Sequence, residues 1–146
     1  MAAMSDYLEN KVWDWLLRGQ VFPPPATAYV ALLTAAPGDA GGGIEVAGGS
    51  YARVAVASAL ANWSGTQAPG STAASSGTDG TGENNVVITF PAPTANWGVI
   101  THFAIYDAAA AGNLLIWSPL FTAKTVNNGD AAPSFAAGAL TFQVDN

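Results

Sequence analysis

The sequence predicts an all-β fold, an antiparallel β-sandwich or partly closed barrel with one N-terminal helix and a long Ser/Thr/Gly-rich loop. Three observations point there. Beyond residue 26 the apolar side chains recur with the period of two that a pleated strand imposes. Six or seven such runs are separated by clusters of Gly, Pro, Asn and Asp, the residues that turn a chain between strands. Only residues 5–19 carry a helical stripe. The 146 residues suit one domain, large enough to bury a core without disulfides or a metal. We divide it into a helix and Pro-rich arm over 1–26 and a sandwich over 27–146, with an exposed loop at 62–85.

Each element has a local reason. Ser5 is placed to cap the helix, Asp6 and Glu9 put negative charge in its first turn, and Gly19 ends it. Leu8, Val12, Trp15 and Leu16 form one apolar stripe, and Asp14 and Arg18 an i,i+4 pair on the other side. Trp13 and Leu17 widen the apolar face beyond what a short helix normally buries. Two readings follow: the helix packs on its own domain, or part of it docks on a neighbouring subunit. Pro23, Pro24 and Pro25 then hold an extended arm that cannot be a central strand.

Strands are expected at 27–34 (TAYVALLT) and 50–60 (SYARVAVASAL), joined by the glycine-rich loop 39–49. Residues 62–85 lack the apolar content to pack and read as a long exposed loop. Further strands are expected at 85–90 and at 98–106 (GVITHFAIY), the latter with Val99, Thr101, Phe103 and Ile105 on one face. Residues 114–120 (LLIWSPL) answer the 98–106 run across a turn, and Pro119 marks an edge or the end of pairing. The chain continues through 121–126 to the Asn127-Asn128-Gly129-Asp130 turn, a strong hairpin signal, and a last strand over 134–144.

Composition removes most chemistry. With no cysteine, thiolate metal sites and thiol nucleophiles are excluded, and one histidine cannot build a multi-histidine site. Ten acidic against four basic residues give a net charge of −6, which argues against a nucleic-acid partner, because phosphate binding needs several cations. No apolar run reaches the ~20 residues of a membrane-spanning helix, so no membrane partner is expected.

The candidates for chemistry are thin. His102 lies mid-strand, without a Ser or Cys nucleophile and an orienting acid to complete a triad. Ser118 precedes a proline rather than a helix. Glu45, Asp107 and Asp130 sit in turns, where carboxylates ordinarily bond backbone N–H groups. Asp39 with Glu45, and Asp79 with Glu83, match no calcium-loop spacing. The run Gly41–Gly43 has neither the lysine nor the following helix of a phosphate loop. We therefore expect no catalytic, cofactor or metal residues.

Arg53 is more informative. In a mostly apolar strand it needs a carboxylate such as Glu45 or Asp107 if its face is buried. Trp63 and Trp97 follow asparagines at loop margins, where they either fill a core or interface or stack on sugar rings. Candidate interface residues are thus Leu8, Val12, Trp13, Trp15, Leu16, Phe22, Trp63 and Trp97.

Several segments together, MSDYLENKV, PPATAYVALLTAAPGDAGGGIEVAGGSYARVAV, FPAPTANWGVITHFAIYDA, GNLLIWSPL, FTAKTVNNGD and SFAAGALTF, resemble short tailed-phage virion proteins labelled tail-fibre or tail-fibre-like. The likeness spans nearly the whole chain apart from the stretch 63–84 and the extra residues 1–3. It implies a non-enzymatic virion component made in the host bacterial cytoplasm, without catalytic residues or cofactors. Three roles are expected, in this order: an oligomeric cement or decoration subunit on the capsid, a tail-fibre or tail-tip adhesion component, and a host-glycan-binding module. The partners implied are further copies of the chain, as a trimer, and the major capsid protein or tail proteins.

Overall fold

The computed structural model describes residues 3–144. Its centre is a six-stranded antiparallel sheet. Strand β2 (Thr27–Ala35) pairs along one side with β7 (Gly98–Tyr106), which pairs with β8 (Leu114–Val126). The other side of β2 is shared by β3 (Ile44–Glu45), opposite Leu33 and Ala35, and β4 (Val54–Ala57), opposite 27–30. β1 (Ala3–Met4) pairs with Ile116 and Trp117 on the outer edge of β8. The second layer is made of two short ribbons. β5 (Thr81–Glu83) pairs with β10 (Thr141–Gln143), and β6 (Ile88–Thr89) with β9 (Ser134–Phe135). The fold is an all-β sandwich with an N-terminal helix, and its sheets do not close into a barrel.

The alternation read from the sequence explains the core. On β2, Val30 and Leu32 face the ribbons while Ala31 and Leu33 face the opposite side, and all four are buried. The ribbons deliver Ile88, Phe90, Phe135, Leu140 and Phe142 onto the first face. The smaller cluster behind the sheet joins Ala31, Leu33, Ala104 and Leu114 to Trp117 and Tyr106.

The expected face of β7 is only half right. Ile100, not Val99 or Thr101, joins Phe103 and Ile105 in the core, and Val99 is half exposed. The reason is a break in the ladder. Ile100 faces Lys124 and His102 faces Pro119, so two steps on β7 match five on β8. Such a bulge resets the period of two and turns the residues beyond it to the other face. Pro119 marks the interruption of the β7 ladder rather than an edge strand, since β1 lies outside β8; β8 continues past it to Val126, and Phe121 in the unmatched stretch is fully exposed.

Other expected strands shrink. The 50–60 run forms β4 only from Val54, the 85–90 run only Ile88–Thr89, and the last run splits into β9 and β10 around a turn. The stretch 62–85 contains β5 and, one residue before its end, Asn84, which is wholly buried. The Asn84 side chain donates to the carbonyls of Val86 and Ala136 (both 2.8 Å) and accepts the Leu140 N–H (2.8 Å). A polar side chain with that many partners can be buried without an orphan.

Helix α1 (Asp6–Leu17) forms where expected. Ser5 caps it by accepting the Leu8 N–H at 3.3 Å. Gly19, with φ +66°, reverses the chain so that the Gln20 N–H reaches the Asp14 carbonyl. That left-handed conformation is one glycine takes without steric cost.

Candidate functional site

The side chains weighed for chemistry lie apart. His102 Nδ1 lies 2.8 Å from the Thr101 hydroxyl, and the ring tilts against Trp117 with no carboxylate beside it. Burial pushes its pKa below the ordinary histidine value. Ser118 bonds the neighbouring Pro119 carbonyl. Asp130 accepts the Asn127 N–H (2.7 Å) and Asp79 the Thr81 N–H (3.1 Å), both closing turns. Glu83 takes the Gly70 N–H. Among the described residues, no three His, Asp or Glu side chains gather as metal ligands would.

The ionic centre of the molecule is Arg53. Of the two carboxylates weighed for it, Glu45 forms the pair. Nε and Nη2 reach Oε1 and Oε2 at 2.9 and 2.7 Å, a two-pronged bond that matches the planar guanidinium. Asp107 instead holds the backbone N–H and side-chain amide of Asn113, both at 2.7 Å, and so shapes the β7–β8 turn. Arg53 Nη1 donates to the carbonyls of Ala108 and Ala111 in that same turn (2.8 Å each). Its guanidinium lies 3.6 Å from the Tyr106 ring centroid.

Tyr51 extends the network. Its hydroxyl donates to Glu45 (2.9 Å) and accepts the Leu32 N–H (3.0 Å). Burial foremost, then the Glu45 carboxylate, pushes its pKa far above the usual tyrosine value. The cluster joins β2, β3, the start of β4 and the β7–β8 turn. Its donors and acceptors are used within the protein, so it serves architecture.

The tryptophans divide. Trp97 is only 5% exposed, donates from Nε1 to the Gly49 carbonyl (3.0 Å) and meets Tyr51 edge-on. It is therefore a core residue of its own domain and offers no ring to a neighbour or a sugar. A Cβ on Gly49 would lie 3.0 Å from that same Nε1, so the close approach needs glycine. Trp63 is half-buried, edge-on to Phe142, and lines a shallow hollow with Leu60 and Ser75. Phe22 in the arm is half-buried as well.

The helix is different. No residue of α1 is buried, and Val12, Trp13, Trp15, Leu16 and Leu17 are all exposed. Its attachment is at the N-terminal end. The Ser5 and Asp6 N–H groups donate to the carbonyls of Leu115 (3.0 Å) and Asp39 (2.9 Å), and the Ser5 hydroxyl donates to Leu114. A second apolar feature flanks Phe121. A groove of about 280 Å³ runs between β8 and the 133–139 segment, lined by Leu120, Phe121, Pro133 and Phe135. No local sequence signal foretells this groove, which lies beside the stretch where β7 and β8 lose register.

Among the described residues, exposed apolar surface on α1 and around Phe121 is the broadest feature left without a partner. Residues 3–143 match the family described as podophage GP4 fiber I protein gp80. The chain belongs to that family. The gp80 match takes in α1, the arm and every strand of the sandwich, so it covers the exposed helix and the Arg53 network together. It supports a tailed-phage, fibre-type structural protein. No curated protein matches the chain.

Proposed function

We propose that this gp80-family chain is a non-enzymatic subunit of a phage tail fibre, built into the virion through its exposed apolar surfaces. The family match over residues 3–143 carries this reading. His102, Ser118, Glu45, Asp107 and Asp130 are each engaged by hydrogen bonds within the fold, which supports a structural role. The longest strand, β8, has 13 residues, but its ends pair with Gly98 and Tyr106, so it spans only about 27 Å. The domain thus suits a compact attachment or tip piece of a fibre better than an extended shaft.

The same compactness favours one second reading, a cement or decoration subunit on the capsid. Electron cryomicroscopy of purified virions separates the two. Density fitting this sandwich on the tail supports the fibre reading, and density between capsomers moves the protein to the capsid. Its absence from the particle overturns both. The glycan-binding reading now rests on Trp63 alone, since Trp97 is internal. Glycan-array binding that vanishes in Trp63→Ala would support it, and binding unchanged by that substitution would remove Trp63 as its basis.

A further inference from the structure

We propose that the groove beside β8 binds a free single-chain aliphatic carboxylate of about eight to ten carbons, its tail between the two layers and its head at Lys124. Such a site is separate from the fibre role and does not depend on where in the virion the protein sits.

The groove reaches the core. It opens beside the break where β7 and β8 lose register, between Ile100 and His102. Its floor is Leu32, Ile100 and Val126, three buried members of the main core cluster. Leu120 and Phe121 stand on one side, Pro133, Phe135 and Ala139 on the other. Protein interiors are otherwise close-packed, with few voids larger than a water molecule. In this groove about 280 Å³ of apolar-lined space runs from solvent down to core side chains. An engineered apolar cavity of ~150 Å³ holds a benzene, so the groove takes a ligand nearly twice that size. A two-chain lipid does not fit such a volume, which limits the occupant to one chain.

Polarity is ordered along the groove. The polar side chains of its lining, Thr122, Lys124 and Ser134, are all exposed and so ring the mouth, while the buried and half-buried lining is wholly apolar. An apolar tail carrying a polar head matches that gradient. A peptide segment matches it poorly, because its N–H and C=O groups would enter a floor that has no polar side chain to meet them. The sign of the head follows from Lys124. Arg53 is paired with Glu45, Arg18 with Asp14, and Lys11 lies over the Tyr7 ring. Among the described residues, Lys124 alone of the basic side chains has neither an ion pair nor a ring beside it. No carboxylate lines the groove or the adjoining hollow, which shares Leu120, Phe121 and Ala139 with it. An unneutralised cation at an apolar mouth selects an anionic head.

Calorimetric titration of the full chain with sodium decanoate is expected to give one site per chain and a dissociation constant of about 0.05–1 mM. Octanoate should bind roughly tenfold more weakly, since two methylenes fewer are buried. Decyltrimethylammonium, the same tail on a cation, should bind roughly fivefold more weakly than decanoate. Lys124→Glu, at an exposed position away from the core, should reverse that order of head groups. Ala139→Trp should fill the groove and abolish decanoate binding, with the β-sheet circular dichroism unchanged; if it fails to fold, the reversal in Lys124→Glu still decides. Decanoate at ten times its dissociation constant should raise the melting temperature by about 3–6 °C, and amide NMR shifts should move at residues 120–126 and 134–139. Absence of binding at millimolar decanoate, a head-group order unchanged by Lys124→Glu, or shifts confined to α1 would each overturn the proposal. Co-sedimentation with phosphatidylglycerol vesicles that is lost in Phe121→Ser would overturn it too, by making this face a membrane anchor. An apparent affinity that falls as protein concentration rises would give the groove to a second copy instead.

Discussion

Replacing Arg53 by alanine removes two bonds to Glu45, two to the carbonyls of Ala108 and Ala111, and the stacking on Tyr106. The side chain of Arg53 is 7% exposed and that of Glu45 26%. Breaking a fully buried ion pair from one side costs about 3–5 kcal/mol, because the remaining charge keeps its desolvation penalty. Here the cost is smaller, since Glu45 and Ala111 reach solvent and water can replace part of what is lost. We expect about 2–4 kcal/mol, which in a domain of this size lowers the melting temperature by roughly 5–12 °C. Arg53→Lys keeps the charge but not the planar fork, and should lose about half as much. Urea unfolding of Arg53→Ala, Glu45→Ala and the double variant, at one protein concentration, measures both the cost and the coupling. A loss below ~1 kcal/mol for Arg53→Ala, or a coupling near zero where ~1–3 kcal/mol is expected, would refute the view that this pair fastens the β7–β8 turn to the sheet.

Three further outcomes follow from the same geometry. Asn84→Ala should destabilise by about 2–4 kcal/mol in denaturant melts, because three buried partners lose their bonds, and Asn84→Asp should cost more, since an ionised carboxylate cannot donate to the Val86 and Ala136 carbonyls. Tyr51 has a folded pKa raised above its unfolded value, so its contribution is fully present below pH ~10 and is lost as pH rises beyond that. Ultraviolet titration should show Tyr51 and Tyr106 ionising above the ordinary tyrosine range, and Tyr51→Phe should flatten the alkaline fall in stability. His102 has the opposite sign, a folded pKa depressed by burial, so stability is present above pH ~6.5 and weakens as pH falls through the folded value. His102→Gln should abolish that acid slope in melts between pH 7 and 5, and an unchanged slope would show that another group causes it.

Local signals carried much of this fold. Ser5 and Gly19 bound α1 because capping is decided within a few residues, and the alternation in 27–34 and 98–106 reflects burial on a pleated surface. What failed was long-range. β3 and β5 are too short to show a period, and they are strands only because Leu33 and the 141–143 segment, respectively, come to lie beside them. Asn84 sits at the end of a polar stretch, and nothing in its neighbours foretells that it meets Ala136 and Leu140. Arg53 and Glu45 were legible as partners by charge, whereas Ala108 and Ala111 were not, because a backbone carbonyl leaves no mark on residue identity. Trp97 leaves core, interface and sugar stacking open in the sequence, and the Gly49 carbonyl beside it decides for the core.

Elements whose causes are local were readable from residue order: a capped helix with a wide apolar face, an extended proline arm, and strands that alternate. The sequence also limited the chemistry, by withholding cysteine and all but one histidine. Which apolar faces end up covered depended on how those elements pack. Periodicity says which side of an element avoids water, but not whether the domain has a surface left to cover it. β2, β7 and the two ribbons cover one another, and α1, held at its first turn alone, is left with its face open to a partner.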